Sequence, residues 1–192
     1  MPTVIVATGN PGKLKEMQVY LDDLGWQLEL KPDEIDIDET GATFLENARL
    51  KATEVAKALN QWAIADDSGL AVYALNGAPG IYSARYADSD QARIERLLNE
   101  LEGQRDRSAQ FVCALALANP EGEIVLETEG ICAGEILLEP QGTGGFGYDP
   151  VFYVPALGKS FAEMQPDQKE AVSHRGTAFG QLIPHLKKLA LE

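Results

Sequence analysis

The sequence is poor in cysteine, histidine and positive charge. Its 192 residues include two cysteines and two histidines, and 16 Lys and Arg stand against 30 Asp and Glu, a net charge of −14. Each scarcity excludes something. Cys113 and Cys132 are far apart and lack metal-ligand spacing, so they read as small buried residues in a reducing compartment. A chain this acidic does not hold a nucleic-acid duplex by general electrostatics. A polyanionic small molecule would need locally concentrated positive charge or a metal ion. No stretch approaches the roughly 20 apolar residues that cross a membrane. The first apolar run is about six residues long and has no basic start, unlike a secretory leader. The expectation is a cytoplasmic protein with neither nucleic-acid nor membrane partners. Repeats, low-complexity tracts and linkers are also absent. What remains is a chain with 45% apolar residues, enough for a sizeable core in one domain spanning 1–192.

The organising stretch is Thr3-Val4-Ile5-Val6-Ala7-Thr8-Gly9-Asn10-Pro11-Gly12-Lys13-Leu14. A β-branched run reads as a buried strand, and Thr8 to Gly12 is a cluster of turn formers. Leu14, Met17, Leu21 and Leu24 then recur at helical spacing. A strand, a glycine-bearing loop and a helix start aim backbone N–H groups at the loop, and Lys13 adds a full charge; a phosphate suits such a place. The loop matches neither the Walker A spacing nor a Gly-x-Gly-x-x-Gly loop. An ordinary βα turn with a solvated Lys13 is the bland alternative.

Further along, Trp26 to Leu30 alternates as a strand, and Asp33 to Glu39 carries five carboxylates in seven residues. Most of these read as solvated, but Mg²⁺ for phosphate chemistry needs only one or two carboxylates. Thr43 and Glu46 form a capping-box pattern. The helix that follows buries Leu45, Ala48, Ala52, Val55, Ala56 and Leu59, and Lys51 lies outside that stripe. It is either a surface lysine or a phosphate ligand. In Ala63-Ile64-Ala65-Asp66-Asp67-Ser68-Gly69-Leu70 an apolar strand runs into two aspartates. Neighbours on an extended segment point to opposite faces, so Asp66 and Asp67 have different jobs, one steadying the chain and one facing a site. The alternative is a tight turn with an Asp cap.

A helix after Asp88-Ser89 is expected to bury Ile94, Leu97, Leu98 and Leu101. Strands from Ala109 to Ala118 and from Ile124 to Cys132 form a hairpin across Asn119-Pro120-Glu121-Gly122. Gly144-Gly145-Phe146-Gly147-Tyr148-Asp149 suits a loop that brings backbone close to a flat ligand, where an aromatic ring stacks on a base for about 1–3 kcal/mol; alternatively its rings plug the core. Lys169 and Ser173-His174-Arg175 precede or open a final helix, where a cation opposes the helix dipole and calls for a compensating anion.

Together the stretches resemble the inosine triphosphatase, or Ham1-like, family of non-standard purine nucleoside triphosphate pyrophosphatases. The matching segments are Thr8-Gly9-Asn10-x-x-Lys13, Glu39-Thr40-Gly41-x-Thr43-Phe44-x-Glu46-Asn47-Ala48, Ala65 to Leu70, Gly77 to Tyr86, Gly144 to Pro150 and Ser173-His174-Arg175. They run in family order across nearly the whole chain. The resemblance implies Mg²⁺-dependent hydrolysis of ITP, dITP and XTP to the monophosphate and pyrophosphate, which keeps these nucleotides out of DNA and RNA. It also implies a homodimer with the active site in a cleft between two lobes. By resemblance the phosphate loop falls on Thr8, Gly9, Asn10, Pro11, Gly12 and Lys13. The metal ligands fall on Glu39 and Asp67, with Asp67 also the catalytic base. The remaining substrate contacts fall on Lys51, Ser68, Phe146, Gly147, Tyr148, Asp149, Lys169, His174 and Arg175. Modified pyrimidine triphosphates, as in the related Maf-like group, and a nucleotide sensor without turnover are the competing functions. The expected architecture is α/β: a long, mixed, twisted central sheet flanked by helices.

Overall fold

The structure, a computed structural model, describes residues 3–189. Among these residues are seven strands: β1 (Thr3–Val6), β2 (Gln27–Leu30), β3 (Trp62–Val72), β4 (Ser108–Ala118), β5 (Ile124–Ile136), β6 (Phe152–Val154) and β7 (Lys159–Ser160). Five α-helices accompany them: α1 (Pro11–Leu21), α2 (Phe44–Leu59), α3 (Asp90–Glu100), α4 (Pro166–Val172) and α5 (His174–Leu186). The strands form one open sheet in the order β2-β1-β3-β4-β5-β6-β7. β1 pairs in parallel with β2 and β3, whereas β6 runs antiparallel to β5 and β7. The sheet is therefore mixed, as the sequence indicates. The parallel pairs follow from the crossovers through α1 and α2, since a parallel neighbour needs a long return connection.

The chain divides into two compact units. The first takes residues up to Asp67, Cys113–Gly130 and the chain from Thr177; the second takes Ser68–Val112 and Ile131–Gly176.

In the first unit, period-2 alternation sorts the strands onto two faces. Cys113, Leu115 and Leu117 join Val4, Val6 and Ile64 against Met17 and Leu21 of α1 and Phe179, Leu182 and Leu186 of α5. On the opposite face Ala114, Ala116 and Ala118 join Ala7, Ala63 and Ala65 against Ala48, Ala52, Val55 and Ala56 of α2. That second layer is built almost wholly from methyl groups, which lets the α2 backbone lie close to the sheet. Thr43 caps α2, its side chain accepting from Glu46 N at 3.1 Å. The reciprocal bond of the expected capping box is displaced by one residue: Glu46 Oε2 accepts from Ala42 N at 2.7 Å.

In the second unit Leu70, Val72, Ile94, Leu97, Leu101 and Phe152 are buried in one core. Phe111, Phe152 and Phe161 meet there with ring centroids 4.6–5.6 Å apart, within the range of favourable aromatic pairs. Ser89 caps α3 by accepting from Ala92 N.

The structure departs from the sequence expectation in three places. β3 continues through Asp66-Asp67-Ser68-Gly69 as one strand of 11 residues, so the aspartates sit inside a strand and not at a turn. β5 continues past Cys132 to Ile136. The short elements α4, β6 and β7 lie in a stretch without clear apolar periodicity.

Candidate active site

In the first unit the strand–turn–helix at residues 3–21 is closed by its own polar side chains. Asn10 N donates to Thr8 Oγ1 at 3.1 Å, and Gly12 N donates to Asn10 Oδ1 at 2.8 Å, making Asn10 the cap of α1. Two N–H groups expected to be open to a phosphate are thus engaged locally. The full charge nearby is Lys13, whose Nζ lies 2.6 Å from Asp66 Oδ1. Asp66 is fully buried, and its Oδ2 accepts from Cys113 Sγ at 3.2 Å.

The two aspartates do point to opposite faces of β3. Asp66 shares the Ile64 side, where Cys113 lies; Asp67 shares the alanine side, under α2. From α2, Lys51 turns inward and is 9% exposed. Its Nζ donates to Asp67 Oδ1 at 2.8 Å, to Glu39 Oε1 at 2.8 Å and to Asp66 O at 3.0 Å. Lys51 is therefore not a surface lysine. Its burial follows from the carboxylates beneath it, since a buried ammonium is tolerated when paired and hydrogen-bonded. Of the acidic run, Asp33, Glu34, Asp36 and Asp38 are exposed and Glu39 is half-buried, while Ile35 and Ile37 pack against the alanine layer.

Electrostatics set Asp67 apart. Burial raises its pKa above the usual aspartate value, against the lowering pull of Lys51 and Lys13. For Lys51, burial opposes the charge, but Asp67 and Glu39 outweigh it and the net shift is upward. Asp67 Oδ2 is buried with no hydrogen-bond partner among the described residues. An unmatched carboxylate oxygen beside a second carboxylate is a place for a cation or its water. No group of three or more His, Cys, Asp or Glu among the described residues is arranged for a metal. Mg²⁺ takes one or two carboxylates and retains water, and Glu39 and Asp67 are donors of that type.

In the second unit a separate group forms. Asp149 Oδ2 accepts from Phe146 N at 3.0 Å and lies 2.7 Å from Lys169 Nζ. Lys169 Nζ in turn sits 4.9 Å from the Phe146 ring centroid. Gly147 N donates to Asp90 Oδ2 at 2.8 Å. A side chain is excluded at Gly145, which has φ +69° and whose Cβ would stand 1.9 Å from Asp149 Oδ2. The two rings of this loop have different fates: Tyr148 is buried and donates to Ser83 O at 2.8 Å, whereas Phe146 is half-buried over Lys169. Tyr148 is thus a core plug. His174 is buried, its ring stacked on Phe111 at 4.7 Å and near Phe161 at 6.1 Å. Arg175 is 1% exposed, and its Nη2 donates to Ser68 Oγ at 3.1 Å. Ser173 Oγ accepts from Gly176 N, fixing the start of α5.

The structure brings Lys13, Glu39, Lys51 and Asp67 together in the first unit, around Asp66. In the second it links Phe146, Asp149 and Lys169, and joins Ser68 to Arg175. Asn47 and Cys113 were read in the sequence but given no part in the site, and Asp90 was not singled out. The signals for Asn47 were its place in the Glu39–Ala48 segment and the four-residue step to Lys51 on one helix face.

These features describe an open mixed α/β sheet with a carboxylate–lysine centre on its third strand. The Ham1 family pattern matches residues 4–185, and the chain belongs to that family. A dITP/XTP pyrophosphatase from Synechocystis sp. is 63% identical over 183 residues, covering 95% of this chain and 94% of its own length. A dITP/XTP pyrophosphatase from Nostoc sp. is 61% identical, with 95% and 93% covered. Among solved structures, a HAM1 protein from Coxiella burnetii superposes with a TM-score of 0.89 at 44% identity, covering 98% of this chain and all of that one. The Ham1 protein of Staphylococcus aureus gives 0.85 at 46% identity, with 97% and 98% covered.

Proposed function

We propose that the protein is a nucleoside triphosphate pyrophosphatase. It hydrolyses dITP, XTP and ITP to the monophosphate and pyrophosphate, and so removes them from the pool used for DNA and RNA. The observation that carries this reading is Asp67: a buried carboxylate with one oxygen on Lys51 and the other without a partner among the described residues. Two relatives above 60% identity bear the name dITP/XTP pyrophosphatase.

Glu39 and Asp67 would hold Mg²⁺, which when bound neutralises phosphate charge. Asp67 orients the attacking water and accepts its proton. The water oxygen bonds to phosphorus as the α–β anhydride bond breaks, and pyrophosphate leaves. Lys13 and Lys51 supply positive charge to phosphates at the turn carrying Thr8, Gly9, Asn10, Pro11 and Gly12. Ser68, Lys169 and the Phe146 to Asp149 loop serve the nucleoside end, with Phe146 the ring free of the core. His174 and Arg175 donate toward O6 of hypoxanthine or xanthine. Adenine carries a donor at that position, and sites built to hydrogen-bond one group reject its mismatch by about 10⁴–10⁵. The enzyme works as a cytoplasmic homodimer in this proposal.

The test is pyrophosphate release from a panel of triphosphates, with Mg²⁺ and with EDTA. Release from dITP, XTP and ITP far above ATP and GTP, lost with EDTA, is the expected result. Release from modified pyrimidine triphosphates alone, or binding without release, would reject the proposal. Light scattering on the eluted protein tests the dimer.

A further inference from the structure

Glu39 lies on a segment without regular structure between β2 and α2. A carboxylate that serves a metal must be held to about half an ångström, and irregular chain does not do this unaided. Its tip is fixed by Lys51 at 2.8 Å. Its backbone end is fixed two residues later, where Gly41 N donates to Asn47 Oδ1 at 2.8 Å. The fit there is close. A Cβ on Gly41 would stand 2.6 Å from Asn47 Oδ1 and 2.8 Å from Glu46 Cβ.

Asn47 is fully buried on α2, four residues before Lys51 and on the same face. Its amide is only half used: Nδ2 is buried with no hydrogen-bond partner among the described residues. Burying an unmatched donor lowers stability, and a leucine, with the same branching of heavy atoms and no polar group, would not carry that cost. The core therefore gains little from asparagine here, while the Glu39 turn depends on its oxygen.

We propose that Asn47 is a positioning residue: through Gly41 it holds the Glu39 carboxylate beside Lys51 and Asp67, where the two carboxylates can share a divalent cation. This inference rests on the reading of Glu39 and Asp67 as metal ligands. Outer hydrogen-bond partners of metal ligands change affinity by about 10–100-fold when removed.

The experiment measures Mn²⁺ binding to the full-length, nucleotide-free protein by electron paramagnetic resonance, alongside thermal melting, for wild type, Asn47→Leu, Asn47→Ser and Glu39→Gln. The expected result is a loss of Mn²⁺ affinity of about 10–100-fold in both Asn47 variants, with the Tm of Asn47→Leu close to wild type. Should the leucine variant not fold, Asn47→Ser, which is too short to reach Gly41, decides the matter. Unchanged Mn²⁺ affinity in the Asn47 variants, or a loss that vanishes when expressed per folded molecule, overturns the inference. Glu39→Gln separates the two levels. If it binds Mn²⁺ like wild type, the metal reading itself fails. If it loses Mn²⁺ while the Asn47 variants do not, only the positioning role fails.

Discussion

Asp66 and Asp67, adjacent on one strand, hold two different lysines: Asp66 Oδ1 lies 2.6 Å from Lys13 Nζ, and Asp67 Oδ1 lies 2.8 Å from Lys51 Nζ. The alternation of a β-strand divides the work. One carboxylate ties the first helix turn to the sheet, and the other faces α2 with an oxygen to spare.

Replacing Asp67 by Asn keeps its shape and removes its basicity. Turnover should fall by about 10²–10⁴ or more, the usual contribution of a general base, while calorimetry still detects ITP binding. Turnover at wild-type rate would assign the proton to another group.

Lys51→Met should destabilise the protein by about 3–5 kcal/mol, because it leaves the buried Asp67 carboxylate without its cation. Urea unfolding measures this. Added Mg²⁺ should restore part of the loss by taking the place of the ammonium between Glu39 and Asp67. Equal loss with and without Mg²⁺ would argue against a metal there.

Gly145→Ala combines a left-handed backbone with a Cβ placed on Asp149 Oδ2. The cost is expected to exceed about 1 kcal/mol, and the contact between Asp149 and Lys169 should open. KM for the triphosphate is expected to rise more than kcat falls. An unchanged KM would detach this loop from substrate binding.

Burial pushes the Cys132 thiol up to about 11. Reactivity follows the thiolate, so near pH 8 only about one thiol in a thousand is ionised, against roughly a quarter at the ordinary pKa. Native protein should therefore resist iodoacetamide at pH 8 at Cys132, and urea should expose it. Rapid labelling of the native protein at that position, read by peptide mass, would contradict the shift.

Much of this was legible in the sequence, and the exceptions have physical causes. The first strand–turn–helix, the Thr43 cap, the two faces of β4 and the divided roles of the aspartates follow from short-range periodicity. Lys51 was ambiguous because its burial answers to Glu39, 12 residues earlier, and Asp67, 16 residues later. The second hairpin strand was read as ending at Cys132, yet it runs on to Ile136 through Gly134. A Cβ there would stand 2.5 Å from Tyr153 O and 2.6 Å from the Phe152 ring, so that glycine marks close approach, not termination. Helix α4 and strands β6 and β7 are too short to show a period. Asn47 appears in the sequence only as part of the Glu39–Ala48 segment, and its bond to Gly41 is a contact that the sequence does not display.

The alanine layer between α2 and the sheet has a consequence beyond packing. Lys51 meets Asp67 across a gap whose width is set by methyl groups, several of them a helical turn or more away from either charge. Those alanines act as shims. One extra carbon at Ala114 or Ala52 would cost about 1–3 kcal/mol by overpacking, and it would also lift the lysine away from its carboxylates. The tolerance of the charged centre is thereby machined into a part of the protein that carries no charge at all.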